Sequence, residues 1–110
     1  MKLNLHWPAL LTFSRWHVAG LVTSADEVPE RLARNSATIV WDAGVPKWIV
    51  FDCPCRTGHR IMLNADRRRR PFWKIDLQSL DRLTVSPSID AFGGDGRCHF
   101  FIRNGRIIWT

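Results

Sequence analysis

FDCPCRTGHRIML, residues Phe51–Leu63, is the stretch on which the reading of this chain turns. It places Cys53 and Cys55 one residue apart with Pro54 between them. The apolar run Trp48–Val50 leads in and Ile61–Leu63 leads out, so the stretch reads as two strands joined by a metal-holding turn. Three cysteines make an odd number, which suits a disulfide framework poorly, and a C-x-C pair is too close to bridge without strain. In a reducing compartment such a pair is better explained by metal.

Working outward, Thr38–Asp42 and Lys47–Asp52 predict strands on either side of the turn Ala43-Gly44-Val45-Pro46. Arg60–Asn64, Phe72–Leu77 and Leu83–Ser86 predict three more, with His17–Val22 as a first strand. Ser24 followed by Glu27 is a capping-box signature, and it predicts a helix over Ala25–Arg34 that Asn35 ends. Asp90–Arg97 reads as a glycine-rich loop. Cys98–Arg103, Asn104-Gly105 and Arg106–Trp109 predict a hairpin with a type I′ turn. The expected fold is mostly β with one short helix (α+β), a small antiparallel sheet or partly open barrel with a zinc knuckle and a C-terminal hairpin. Residues 1–110 read as one domain: an N-terminal arm, strand and helix over 1–35, then a β core with the metal site over 36–110.

Composition narrows the class. Hydrophobic content of 45% with six tryptophans argues for a folded domain. No run approaches the roughly 18 apolar residues of a membrane span. In MKLNLHWPALLTF the short apolar run is followed by Arg15 and Trp16 instead of a small-residue cleavage site, which predicts a cytoplasmic chain. The net charge of +6 suggests an anionic partner, yet four of the positive charges are the block Arg67, Arg68, Arg69 and Arg70. Beside Phe72 and Trp73 that block could grip phosphates, but no nucleic-acid module has this spacing. An acidic protein surface suits the same arginines, and nucleic acid is the less favoured partner.

Zinc prefers thiolate and imidazole in a tetrahedron, and a proline-stiffened C-x-C turn presents two sulfurs on one side. Cys98 supplies a third if the C-terminal hairpin lies beside the knuckle; His59, His99 or water would be the fourth. With Asn104-Gly105 as the loop, Arg103 pairs with Arg106 and Phe101 with Ile108. Cys98, Phe100 and Ile102 then share one face and His99 and Phe101 the other, so both neighbours ligate only if the strand is irregular. Ser86-Pro87-Ser88-Ile89-Asp90 offers a second chemistry. Ser88 is nucleophilic only if a base takes its proton, His99 being the candidate and Asp90 its orienter. From the residues alone, turn chemistry is the simpler reading of that segment.

CPC…TGHRIMLN, RRPFW, LTVSPSID and CHFFIRNGRIIW, in that order from about Trp41 to Trp109, resemble the small bacterial family called domain-of-unknown-function 6527. The resemblance implies a zinc-site protein encoded with ubiquitin-like proteins and their activating and conjugating enzymes, in an antiphage-defence setting. The implied role is a peptidase that processes or removes the ubiquitin-like tag. By position, Cys53 and Cys55 match the family's C-x-C, Ser88 its PSI serine and His99 its histidine. Where many members have C-x-C-G-C-G this chain has Arg56 and Thr57, and Gly96 stands where many have a cysteine. Cys98 occupies the intervening serine position: either it replaces the lost ligand, or the metal site is altered or absent. Two mechanisms follow: metal-activated water, or a structural zinc beside Ser88 with His99 as base. The rival is a zinc-stapled adaptor that docks an acidic partner through the arginine loop.

Overall fold

A computed structural model describes residues 15–93 and 96–110. The first sheet contains β1 (His17–Val22), β2 (Ser36–Asp42), β3 (Val45–Asp52) and β4 (Arg60–Asn64) in that spatial order. The second contains β5 (Lys74–Ile75), β6 (Val85–Gly93), β7 (Gly96–Arg103) and β8 (Arg106–Trp109), again in sequence order. All neighbours are antiparallel except β1 and β2, which run parallel. Neither sheet closes into a barrel, and β1 departs from the expected antiparallel arrangement.

The alternation of apolar residues explains how the sheets meet. Ala37, Ile39, Ile49, Phe51, Ile61 and Leu63 of the first sheet share one buried cluster with Val85, Ile89, Phe100 and Ile102 of the second. Phe51 and Phe100 meet edge to face across it, ring centres 6.4 Å apart, and Trp16 packs on Phe51 at 5.6 Å. Trp16 is also hydrogen-bonded to the second sheet's connections: its N–H donates to the Gly105 carbonyl and its carbonyl accepts from Leu83.

The helix expected over Ala25–Arg34 is a single 3-10 turn, Ala25–Glu27. The Glu27 carboxylate does accept from the Ser24 and Thr23 N–H groups, so the start signal is genuine. Pro29 ends it, because a residue before proline is pushed out of the helical region. Val28 accordingly lies at φ −68°, ψ 127°. Counted from Ser24, Pro29 stands beyond the first turn, where its N–H would have been required. Among the described residues there is no α-helix, nor one long and apolar enough to cross a membrane.

The C-terminal hairpin has the register that its turn predicts. Arg103 pairs with Arg106 and Phe101 with Ile108, while Asn104 and Gly105 both adopt the positive φ of a type I′ turn. The strand expected at Leu83–Ser86 is longer and later, Val85–Gly93, and residues 90–93 and 96–97 of the expected glycine-rich loop are paired strand residues of β6 and β7. Pro87 sits in a bulge of β6, where no ladder N–H is needed. The strand expected over Phe72–Leu77 contracts to Lys74–Ile75. Most of the proposed N-terminal arm lies outside the described residues.

Candidate active site and metal cluster

The β3–β4 connection begins as a tight turn: the Arg56 N–H donates to the Cys53 carbonyl, and the Cys53 N–H to the His59 carbonyl. Arg56 and Gly58 take positive φ, which curls the loop back so that Cys53, Cys55 and His59 converge. Cys98 joins them from β7. The four ligand atoms lie within 4.8 Å of one another. His59 Nε2 is 3.1 Å from Cys55 Sγ and 3.9 Å from Cys98 Sγ. Zinc–sulfur bonds of about 2.3 Å place tetrahedral ligand atoms about 3.8 Å apart, so this donor set fits such an ion with little movement. Burial pushes the Cys53 thiol well above its ordinary range, while the Thr57 hydroxyl 3.0 Å from Cys55 Sγ holds that thiol below it.

Gly93 completes the cluster from β6. A Cβ built there would fall 2.5 Å from His59 Cδ2 and 2.6 Å from Nε2, so the ring occupies the space that any other residue needs. Gly93→Ala is expected to push His59 aside and weaken metal binding by roughly 10- to 100-fold, read by competition with a chromogenic chelator. Because residues 90–97 read as a loop in the sequence, the signal of close approach that a strand glycine gives does not arise there.

The other face of the second sheet carries different chemistry. Val85 pairs with Ile102 and Ile89 with Phe100, so Ser86, Pro87 and Ser88 together oppose Phe101. Bulges of this kind re-aim side chains. Ser88 Oγ lies 3.0 Å from His99 Nε2. The Trp73 indole N–H donates to the Ser88 carbonyl at 3.1 Å and fixes the bulge from outside. Strand alternation sends Cys98 to the cluster and His99 to Ser88, which separates the two sites across one strand.

Asp90 pairs with His99 in the strand register, yet its carboxylate is held by Arg97, at 2.7 and 2.8 Å. That guanidinium keeps the Asp90 carboxyl below its usual range. The orienting contact expected of Asp90 is instead made by Thr110, whose Oγ1 lies 2.7 Å from His99 Nδ1. Thr110 is itself fixed by its N–H, which donates to the His99 carbonyl at 3.0 Å. Thr110 has no signal in the sequence, and Thr57 stands out there only as a departure from the family's C-x-C-G-C-G pattern.

The arginine block is divided in its environment. Arg68 is bound by both oxygens of Asp66, at 3.1 and 3.2 Å, and Lys47 reaches the same carboxylate at 3.1 Å. Arg69 lies over Trp48 and Arg70 over Phe72, 5.5 and 5.6 Å from the ring centres, while Arg67 is exposed. Asn64 ties the loop together, its side-chain amide donating to the carbonyls of Asp66, Arg69 and Pro71.

A family model described as bacterial ubiquitination-like system serine protease (BubE) matches residues 24–110, a span that holds every residue of both clusters. Its name differs from domain-of-unknown-function 6527, while its ubiquitin-like setting agrees with what that resemblance implies. No curated protein and no solved structure matches the chain.

Proposed function

The chain belongs to the BubE family of bacterial ubiquitination-like system serine proteases, and from that premise we propose that it cleaves a ubiquitin-like precursor or conjugate with Ser88 as nucleophile and His99 as base. The observation that carries this reading is the 3.0 Å separation of Ser88 Oγ and His99 Nε2. It lies within hydrogen-bond reach for proton transfer. The Ser88 hydroxyl proton passes to Nε2 as Oγ bonds to the scissile carbonyl carbon. His99 then returns that proton to the departing amine as the carbon–nitrogen bond breaks, and water later releases the acyl group from Ser88.

For Nε2 to accept, Nδ1 must carry the other proton and donate it to Thr110 Oγ1. Thr110 thereby fixes the tautomer and the ring plane, a positioning role that a carboxylate fills in other serine peptidases. Asp90, opposite His99 in the register, supplies negative charge near the imidazolium without bonding it. Thr110→Val is expected to lower kcat roughly tenfold with metal content unchanged, and Thr110→Ser to restore it. Cleavage assays with both variants check this.

Cys53, Cys55, His59 and Cys98 would hold a zinc ion, which supplies a cross-link between the β3–β4 loop and β7. Held by all four, such an ion would have no open position for a reacting water, and three thiolates would blunt it as a Lewis acid. This favours the serine mechanism over metal-activated water.

Incubation with ubiquitin-like precursors encoded beside the chain tests the reading. Cleavage that Ser88→Ala removes supports it. If no precursor is cut, and Ser88→Ala and His99→Ala both leave partner binding intact, the adaptor reading replaces it.

A further inference from the structure

A shallow groove begins at the bulge that presents Ser88. Arg70, Pro71, Phe72, Lys74, Ser86 and Pro87 line it, and its walls are mostly apolar. Pro87 is the residue before Ser88, so the groove ends one residue from the nucleophile.

The charge of the groove is unbalanced. No carboxylate lines the groove, and Arg70 and Lys74 take no part in the ion pairs among the described residues, which join Lys47 and Arg68 to Asp66, Arg60 to Asp52 and Arg97 to Asp90. Arg70 and Lys74 are both exposed, and the Arg70 guanidinium lies on the Phe72 ring with its remaining N–H groups open to a ligand. Two uncompensated cations above a floor of proline and phenylalanine match a carboxylate next to an apolar side chain.

We propose that this groove is the substrate subsite of the enzyme, and that it selects an extended peptide segment with an apolar residue beside an acidic one. The apolar side chain rests on Pro71, Phe72 and Pro87, and the carboxylate meets Arg70 and Lys74. The proposal rests on the peptidase reading above and adds to it the chemistry of the recognised sequence.

Quenched-fluorescent peptide libraries test it, with each position in turn fixed as Glu, Lys, Leu or Gly. The wild type is expected to prefer Glu beside Leu at one pair of positions, and Arg70→Glu with Lys74→Glu to reverse the charge preference to Lys. The effect should fall on KM, which rises roughly tenfold for acidic peptides while kcat holds. Cleavage without a charge preference, or a preference that survives charge reversal, would overturn it. Polarisation binding of the same peptides to Ser88→Ala provides a readout that needs no turnover. If no peptide is cut but the acidic–apolar ones bind and charge reversal releases them, the subsite stands and the peptidase reading fails. Equal binding of all peptides, or salt-sensitive retention of a single-stranded oligonucleotide instead, overturns the subsite itself.

Discussion

Replacing Ser88 by alanine is expected to lower cleavage of a ubiquitin-like precursor by at least about a thousandfold, with metal content and melting temperature unchanged. The hydroxyl removed is the one 3.0 Å from His99 Nε2, and it lies on the face of the second sheet opposite the cysteines. No core packing depends on it: Ser88 is only half-buried, whereas its neighbour Ile89 is fully enclosed. His99→Ala should cost a similar factor. The double variant should be little worse than either alone, because the two side chains act in one proton transfer. Metal-activated water would give the opposite pattern, with Ser88→Ala retaining much of its activity.

The second large effect is expected at Cys98→Ser, which should yield metal-poor protein with a melting temperature lower by roughly 10 °C or more. Of the four candidate ligands only Cys98 is on the second sheet; Cys53, Cys55 and His59 all belong to the β3–β4 connection of the first. Its loss removes the cross-link between sheets while keeping nearly the same side-chain volume, so a cavity cannot account for the fall. Metal analysis and thermal unfolding, with Cys53→Ser alongside, check this. Activity should fall with the folded fraction, since Cys98 and His99 are adjacent on β7. A metal-poor Cys98→Ser protein that melts like the wild type would show that the ion does not support the fold.

The C-terminal hairpin was legible because its turn chemistry and alternation agree, whereas the β6–β7 hairpin reads in the sequence as a short strand and a loop. Asn104-Gly105 sets the register of β7 and β8, and that register already separates Cys98 from His99. The knuckle was legible for a similar reason, since Cys53-Pro54-Cys55 stands between two apolar runs. The helix was misread because Ser24 and Glu27 form a valid start, whereas Pro29 acts on its predecessor Val28, a local veto stronger than the apolar spacing beyond it. The parallel pairing of β1 with β2 depends on contacts distant in sequence, which no local pattern encodes. Thr110 escaped notice because its role arises only when the end of β8 lies beside His99. Asp90 drew attention as an acid near a serine, but Arg97 on the neighbouring strand reaches its carboxylate first.

The most direct test of a serine nucleophile positioned by a metal-stapled sheet is labelling of the intact protein with a fluorophosphonate, with the adduct located by peptide mass spectrometry and bound metal measured in the same sample. A single adduct on Ser88 is expected, lost in His99→Ala while the metal remains. An unlabelled Ser88 in metal-replete, folded protein, or labelling that does not depend on His99, would contradict it.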